Sequence, residues 1–327
     1  MSKRIAVIGA GLAGLACATR LTAAGFGVQV FDKSRGVSGR LSTRRGEGWQ
    51  ADHGAQYFTA HDPDFIQQVQ VWESAGVVQR WTPDLRVIGP ERQTAAQSDI
   101  QRYVGVPSMT APARALAENL HVRTQSTVQS IHRTEQGWAI HFLEEDAARN
   151  APVHFDQMVL AVPAPQAEPL LSGCGSVLAA QARQAVMRPC WSLMVRFDQP
   201  VSIGFSAAFV NEGPLRWIAR DTSKPGRPET ETWVLHANPD WSDQHLEETP
   251  EDVAKVLLAQ FQALGAPLPQ AWVAHRWRYS QATQPLKESF LYDSELGLGV
   301  CGDWVTTGTV EGAWVSGAAL ARHLLSV

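Results

Sequence analysis

The first thirty-two residues contain the pattern that most limits how this chain can fold. An apolar run at residues 5–8 leads into Gly9-Ala10-Gly11-Leu12-Ala13-Gly14, and a second apolar run at 28–31 ends in Asp32. This order predicts strand, turn, helix and strand, with Gly9 for the tight turn, Gly11 for close approach of a pyrophosphate and Gly14 for helix packing. The helix N-terminus offers unpaired N–H groups to phosphates, and Asp32 is placed to accept hydrogen bonds from a ribose. The pattern predicts dinucleotide binding and leaves NAD, NADP and FAD open.

The composition limits the classes of function. The 327 residues give room for two interleaved domains, and 44% hydrophobic residues with 18% charged residues indicate a globular protein. A net charge of −4 excludes a general nucleic-acid binder, because there is no basic excess to neutralise phosphates. The four cysteines form no CxxC pair, and no apolar run reaches transmembrane length. We therefore expect a cytoplasmic protein with no nucleic-acid or membrane partner.

The middle of the chain alternates helical and strand patterns. Asp62-Pro63 predicts a helix that ends at Gly76, and helices are also predicted at about 108–119, 176–187 and 250–264. Short strands are predicted over 121–142 with a hairpin at Gln136-Gly137. Residues 158–162 form a continuous apolar run that is typical of a buried parallel strand.

The C-terminal end carries a second site that favours FAD over a nicotinamide dinucleotide. A predicted last strand at 296–301 leads into Gly302-Asp303-Trp304 and a helix that opens at Glu311. Asp303 at a strand end is suited to the ribityl hydroxyls of a flavin. A helix N-terminus near the flavin ring stabilises the negative charge of its reduced form. Beyond Lys33, nothing in the first unit looks like a dedicated clamp for a 2′-phosphate.

These elements predict an α/β fold with two interleaved domains. A discontinuous, glutathione-reductase-like Rossmann FAD-binding domain is expected over 1–60, 100–165 and 286–327. An inserted substrate domain of mixed β-sheet plus helix is expected over 61–99 and 166–285. The active site should lie between the two domains.

Several motifs together resemble the flavin amine oxidase superfamily and, within it, the bacterial renalases. Besides the glycine turn they are Ser34-Arg35-Gly36-Val37-Ser38-Gly39-Arg40, Asp52-His53-Gly54-Ala55-Gln56-Tyr57-Phe58, Gly302-Asp303-Trp304, Val310-Glu311-Gly312-Ala313, Ser316-Gly317 and His275-Arg276-Trp277-Arg278-Tyr279. The resemblance extends over nearly the whole chain. It implies non-covalent FAD.

The glycine turn, the C-terminal motif and the resemblance together give the predicted cofactor contacts. They are Gly9, Gly11, Leu12, Ala13, Gly14, Asp32, Lys33, Gly39, Arg40, Gln56, Tyr57, Val128, Gly302, Asp303, Val310 and Glu311. Arg40 suits a pyrophosphate, because a guanidinium forms charge-assisted hydrogen bonds with phosphate oxygens. The resemblance implies that Val128 contacts the adenine side through its backbone.

The same resemblance implies the reaction. Renalase-like chemistry is the oxidation of the 1,2- and 1,6-dihydro isomers of β-NAD(P) to β-NAD(P)⁺, with hydride passing to flavin N5 and then to oxygen or another acceptor. A dihydropyridine is a strong hydride donor that needs positioning and no base, which agrees with the lack of a convincing acid–base pair or metal site. His275, Trp304 and Arg276 are candidates to line the active site. The arginines that hold the substrate phosphates are to be found among Arg44, Arg45, Arg216, Arg220, Arg276 and Arg278.

Two alternatives stay open. One is a flavin-dependent amine oxidase, although such enzymes commonly hold a lysine near flavin N5 and an aromatic cage. Among the five lysines only Lys287 is a candidate for that position, and four tyrosines leave little choice for a cage. The other alternative is a flavoprotein that serves as a redox sensor without turnover.

Overall fold

The computed structural model describes residues 3–89, 93–95, 99–144 and 154–327 of the chain. Residues 1–2, 90–92, 96–98 and 145–153, which belong to the predicted domain ranges, lie outside the described residues. The described residues form 19 strands and eight α-helices.

The strands are, in chain order, β1 (Arg4–Ile8), β2 (Gly27–Phe31), β3 (Thr43–Gly46), β4 (Trp49–Asp52), β5 (Val78–Arg80), β6 (Leu85–Ile88), β7 (Gln93–Ala95), β8 (Tyr103–Gly105), β9 (His121–Arg123), β10 (Val128–Thr134), β11 (Gly137–Phe142), β12 (Gln157–Leu160), β13 (Val186–Phe197), β14 (Ala207–Val210), β15 (Leu215–Arg220), β16 (Glu231–Ala237), β17 (Ala271–Gln284), β18 (Leu291–Asp293) and β19 (Leu298–Val300). The helices are α1 (Leu12–Ala23), α2 (Pro63–Ser74), α3 (Ala111–Ala117), α4 (Ala164–Gly173), α5 (Leu178–Ala182), α6 (Pro239–Gln244), α7 (Pro250–Ala263) and α8 (Val310–Ser326).

A six-stranded sheet joins the two ends of the chain. Its order is β18-β19-β12-β1-β2-β9, and all neighbours except β18 and β19 run parallel. Strands β1 and β12 are buried apolar runs, as expected for parallel strands covered on both faces. Helix α8 packs on α1 so closely that a Cβ on Gly317 would meet the carbonyl oxygen of Ala13. This packing brings the C-terminal helix against the first βαβ unit.

The second large sheet is mixed and has seven strands. Its order is β17-β13-β16-β15-β14-β6-β7, antiparallel except for the β14–β6 pair. One face packs on α7 through Val253, Leu257 and Phe261, within a core that includes Trp233. The alternating side chains of the same strands form the opposite face, where the site described below lies.

The predicted α/β fold with a Rossmann unit is confirmed. The Gln136-Gly137 hairpin joins β10 and β11, and the apolar run at 158–162 forms the central strand β12. Asp62 caps α2 by accepting hydrogen bonds from the N–H groups of Asp64 and Phe65. The helices predicted at 108–119 and 176–187 are shorter than expected, at Ala111–Ala117 and Leu178–Ala182.

The division into two domains stays a prediction. All strands of the six-stranded sheet fall in 1–60, 100–165 and 286–327, and all strands of the seven-stranded sheet fall in 61–99 and 166–285. Within the described ranges, no helix is long and apolar enough to cross a membrane. The same residues contain no group of three or more His, Cys, Asp or Glu side chains arranged to hold a metal ion.

Candidate active site

The three glycines of the opening turn have different structural roles. Gly9 has a φ of +109°, and a Cβ there would collide with the carbonyl oxygen of Ala161 on the neighbouring strand. A Cβ on Gly14 would collide with the carbonyl oxygen of Gly9. Around Gly11 the space is open, since a Cβ there would meet nothing within 4 Å. Gly9 and Gly14 are therefore required by the fold, whereas Gly11 leaves room for a ligand.

The first turn of α1 points its N–H groups toward that space. Gly11 is the N-cap and provides no side-chain hydrogen bond to the helix, while Leu12 and Ala13 are buried behind it. No acidic residue lies in the first turn. Unpaired N–H groups at the positive end of a helix form an anion site, which suits a pyrophosphate.

Asp32 organises the loop around this site. Its two carboxylate oxygens accept hydrogen bonds from the N–H groups of Ala10 and Ser34, both at 2.7 Å. Each oxygen keeps a further lone pair, so contact with a ribose stays possible in this geometry. Val128 begins β10 two residues after Ser126, whose N–H donates to the Asp32 carbonyl. The neighbouring Lys33 is exposed.

The 34–41 loop connects the glycine turn with the C-terminal motif. Gly39 has a φ of +55° and lies close to the glycine turn. A Cβ built on Gly39 would be 3.2 Å from the Gly11 Cα. Arg40 forms a bidentate pair with Asp303, in which its Nη1 donates to Oδ2 at 2.9 Å. The same Nη1 donates to the carbonyl oxygen of Ser280 on β17 at 3.1 Å. Two predicted cofactor residues that lie 263 positions apart are thus in direct contact.

The C-terminal motif, Gly302-Asp303-Trp304, is hydrogen-bonded to helix α8. The Gly302 N–H donates to the Ser316 hydroxyl, and helix α8 begins at Val310, one residue before the predicted position. The Glu311 carboxylate faces away from the motif, because it accepts hydrogen bonds from the N–H groups of His61 and Asp62 at the start of α2. Any role of Glu311 toward the cofactor therefore rests on its backbone.

Two of the three candidates for lining the active site have their side chains engaged elsewhere in the protein. Trp304 is completely buried in the core, where its Nε1 donates to the Val162 carbonyl. Arg276 is turned to the opposite side of β17 from His275, because neighbouring residues of a strand alternate faces. Arg276 pairs there with Glu247. Of the three, only His275 contacts the 52–58 motif, through the ring of His53.

Four directly paired positions form a row across strands β17, β13, β16 and β15. The row consists of His275, Ser192, His236 and Trp217. Paired residues of neighbouring strands share a face, so all four side chains lie on the same side of the sheet. We call this set the histidine row.

The 52–58 motif lies directly on the histidine row. The His53 ring lies 4.8 Å from the His275 ring. The His53 carbonyl oxygen accepts a 2.9 Å hydrogen bond from Trp277 Nε1. The same oxygen lies 3.3 Å from Nε2 of His236. His53 Nδ1 and Ser192 Oγ are buried and have no hydrogen-bond partner among the described residues.

Gln56 and Tyr57 continue this contact along the row. Trp217 Nε1 donates to Gln56 Oε1 at 3.4 Å, and the Trp217 ring lies 5.6 Å from the Tyr57 ring. The Gln56 side chain is therefore used within the protein. The Tyr57 ring is half-buried against Trp217 and Trp81.

The histidines of this wall are held neutral. Burial, followed by the charges of His275, His236 and Arg44, lowers the pKa of His53 to about 3. Burial first, and then Lys224 and Arg216, lower the pKa of His236 to about 4. Burial and Arg44 also lower the pKa of His275. At neutral pH the wall thus presents uncharged imidazoles under the influence of nearby cations.

A buried ion cluster beneath Gln56 was not anticipated from the sequence. Lys224 Nζ lies 2.7 Å from Asp221 Oδ1, 3.2 Å from Asp52 Oδ2 and 3.3 Å from Gln56 Oε1. Arg227 completes the cluster, because its Nε and Nη2 both donate to Asp52 Oδ2. All four charged side chains are at most 1% exposed.

The sequence offered one signal for this cluster, the spacing of Asp221, Lys224 and Arg227. The predicted lysine candidate Lys287 is instead exposed in a loop. Burial raises the pKa of Asp52, but Lys224 and Arg227 outweigh it and hold that pKa at about 2. For Asp221, burial and Asp52 outweigh the two cations and raise the pKa.

Two family profiles match this chain, and a renalase aligns with most of it. A profile of the flavin-containing amine oxidoreductases matches residues 85–325, and a profile of NAD(P)-binding Rossmann-like domains matches residues 7–70. Renalase of Mus musculus is 23% identical over 309 residues, which cover 87% of each chain.

Two solved structures share the fold over their whole length. They are a protein described as a putative protoporphyrinogen oxidase from Exiguobacterium sp. 255-15, with a TM-score of 0.77 and 12% identity, and cyclohexylamine oxidase from Brevibacterium oxydans, with a TM-score of 0.75 and 13% identity. The first alignment covers 100% of both chains, and the second covers 100% of this chain and 99% of the other.

FAD is the cofactor that these matches support, and the residues fit it. The open space at Gly11 lies before the positive end of α1, as a pyrophosphate requires. Within the 52–58 motif, His53 Nδ1 is a buried polar atom without a partner among the described residues. Cys17 and Cys301 are buried in the core, where burial raises the pKa of the Cys17 thiol to about 12, so neither is a candidate for covalent attachment. Non-covalent binding stays a prediction.

Proposed function

The chain belongs to the flavin-containing amine oxidoreductases, and from this premise we propose that it oxidises the 1,2- and 1,6-dihydro isomers of β-NAD(P) to β-NAD(P)⁺. The likeness to mouse renalase over 87% of both chains supports this choice within the family. When bound, FAD would supply the hydride acceptor, its N5 atom, and the means to pass the electrons on to oxygen or another acceptor.

The observation that carries the proposal is the charge around the histidine row. Arg44, Arg216 and Lys224 all act on its histidines as cations. Lys224 is balanced by two carboxylates, whereas Arg44 and Arg216 have no carboxylate partner among the described residues. A net positive wall attracts an anionic dinucleotide and disfavours an ammonium ion.

The titratable groups are unsuited to removing a proton from a substrate. An effective general base has a pKa near the working pH, but the pKa of His53 lies at about 3 and that of His236 at about 4. The Asp52 carboxylate, with a pKa of about 2, is bound by Lys224 and Arg227. Oxidation of a dihydropyridine needs no base, so the residues present need only to bind the substrate, orient it and exclude water.

The test is anaerobic mixing of the holoprotein with separated dihydronicotinamide isomers. We expect rapid loss of the oxidised flavin absorbance with the 1,2- or 1,6-isomer and slow or no loss with ordinary 1,4-NADH. A response to 1,4-NADH that equals or exceeds the response to the other isomers would contradict the proposal. Analysis of the product should give β-NAD(P)⁺ in an amount equal to the flavin reduced.

Amine oxidation is the second candidate, and the aromatic pair Tyr57–Trp217 is the observation that favours it. The two rings lie 5.6 Å apart with an interplanar angle of 50°, beside the Lys224 cluster. A panel of small and aromatic amines mixed anaerobically with the holoprotein separates the two candidates. Bleaching by an amine but by no dihydronicotinamide would establish this second function, and bleaching by neither class would leave a redox sensor.

A further inference from the structure

Six arginines are candidates to hold the substrate phosphates, and the structure already engages most of them. Glu231 binds Arg220, and Glu247 binds both Arg276 and Arg278. Arg45 donates to the hydroxyls of Ser108 and Thr110. A carboxylate compensates the charge of Arg220, Arg276 and Arg278, and two hydroxyls engage both hydrogens of Arg45 Nη2, so these four are poorer candidates than Arg216.

Arg216 has a different environment. It lies near the start of β15 and reaches across the sheet to β17, where Nη1 donates to Gln281 Oε1 at 2.9 Å. Its hydrogen-bond partner is thus neutral, and the residue is exposed. Its remaining N–H donors are directed to no acceptor among the described residues.

A small cavity adjoins this guanidinium. Its volume is about 120 Å³, and its walls include Arg216, Trp217, His236, Cys190 and Ser280. This is smaller than the roughly 300 Å³ at the lower end of sites for whole ligands, so the cavity fits one group of a larger molecule. Arg216 is the charged side chain of the wall, since burial raises the pKa of the Cys190 thiol to about 12 and the described lining contains no acidic residue.

The cavity lies at the cofactor end of the seven-stranded sheet. The Ser280 carbonyl oxygen, from a residue in its wall, accepts a hydrogen bond from Arg40, which pairs with Asp303. On the other side, Trp217 packs on Tyr57. Arg44 also has no carboxylate partner among the described residues, but it lies beside His53 and His275 and lines no part of this cavity.

We propose that Arg216 binds a phosphate of the dinucleotide substrate at the mouth of this cavity and so selects phosphorylated dihydronicotinamides. The inference rests on the proposed function for the identity of the substrate. Its physical basis is the fork of N–H donors of a guanidinium, which matches phosphate oxygens and carries a permanent charge.

The test compares Arg216→Gln, Arg216→Lys and Arg183→Gln holoproteins. With a dihydro-NAD isomer, we expect Arg216→Gln to raise KM by about 10- to 100-fold at little change in kcat, because it removes charged hydrogen bonds made equally before and during the reaction. Arg216→Lys, which keeps the charge and loses the fork, should fall between. With the corresponding dihydronicotinamide riboside, which has no phosphate, KM should not change. Arg183→Gln removes the same charge from an exposed position at the end of α5, where the arginine is likewise paired with a carboxylate, and should leave both KM values unchanged.

A second measurement keeps this inference separate from the proposed function. ADP-ribose carries the two phosphates but cannot be oxidised by hydride loss, so its binding to the holoprotein by calorimetry tests Arg216 without turnover. We expect binding by the wild type and a 10- to 100-fold weaker Kd for Arg216→Gln, the same range as for KM. If no dihydro isomer is oxidised but ADP-ribose binding depends on Arg216, the proposed reaction fails and the phosphate site stands. Equal effects on the phosphorylated and phosphate-free substrates, or ADP-ribose binding that ignores Arg216, would overturn the inference.

Discussion

The buried ion cluster of Asp52, Asp221, Lys224 and Arg227 permits a prediction with a magnitude. Its two positive and two negative charges balance, and each side chain is at most 1% exposed. Replacing Lys224 by Met keeps the apolar stem and removes the ammonium group. Asp221 then loses its 2.7 Å partner and keeps only Arg227 Nε at 3.8 Å.

The expected loss of stability follows from two limits. Removing one partner of a buried pair typically costs about 3–5 kcal/mol, because the other charge stays buried. Asp221 can avoid the charge by taking up a proton, which costs about 4 kcal/mol at pH 7 for a carboxyl of ordinary pKa near 4, at about 1.4 kcal/mol per pH unit. We therefore expect Lys224→Met to lower the free energy of unfolding by about 3–4 kcal/mol at pH 7.

The pH dependence of this loss has a defined sign. Burial already raises the pKa of Asp221 in the wild type, and loss of the Lys224 ammonium raises it further, so the folded variant binds more protons than the folded wild type. The loss should therefore shrink as the pH falls from 7 to 5, by up to about 1.4 kcal/mol for each pH unit. Urea unfolding followed by tryptophan fluorescence, with and without saturating FAD, measures it at both pH values.

Two further variants make the test specific. Lys255→Met removes the same charge from an exposed position on α7 and should change stability by less than about 0.5 kcal/mol. Lys224→Met combined with Asp221→Asn restores charge balance and should regain most of the loss. A Lys224→Met protein within about 1 kcal/mol of the wild type at pH 7, or a double variant no more stable than the single one, would refute the charge-balance reasoning.

Three other predictions follow from the site. Gly11→Val should leave the apoprotein stable, because the space there is open, yet abolish FAD retention after gel filtration. Gly14→Ala should instead lower the melting temperature of the apoprotein, because the new methyl group would collide with the Gly9 carbonyl. Asp303→Ala should weaken FAD retention and shift the flavin spectrum, and full retention with a normal spectrum would count against the site. The folded pKa values of His53 and His236 lie below the ordinary 6.5, so only the unfolded chain takes up protons as the pH falls from 6.5 to 4. The free energy of unfolding should therefore fall over this range by up to about 1.4 kcal/mol per pH unit for each histidine, and urea midpoints should fall with it. His53→Gln should flatten that slope, and an unchanged slope would show that His53 does not contribute.

The sequence was most informative where the physical cause is local. The spacing from Gly9 to Asp32 determines a strand, turn, helix and strand, because a side chain at Gly9 or Gly14 would collide with a backbone carbonyl close by in this unit or next to it. The same is true of the Asp62 cap and the Gln136-Gly137 hairpin. Such features need only a few neighbouring residues, so their patterns can be recognised in one sequence.

The histidine row could not be predicted in this way. His275, Ser192 and His236 meet because three strands distant in the chain pair in one register, and no single segment encodes that register. Alternation along one strand does carry information, however. It places His275 and Arg276 on opposite faces, so the sequence alone could have separated these two candidates.

The two kinds of cation at the site should separate stability from substrate choice. Lys224 is buried and paired with Asp52, 172 positions away in the chain, and with Asp221, so its removal should chiefly affect folding. Arg216 is exposed and lacks a carboxylate partner among the described residues, so its charge is available to a ligand and its removal should cost little stability. The glycine turn is the predicted anchor of the cofactor in either case. On the proposed function, recognition of the substrate should depend on the uncompensated charge at the edge of the seven-stranded sheet, so dinucleotide specificity should change with Arg216 while FAD content does not.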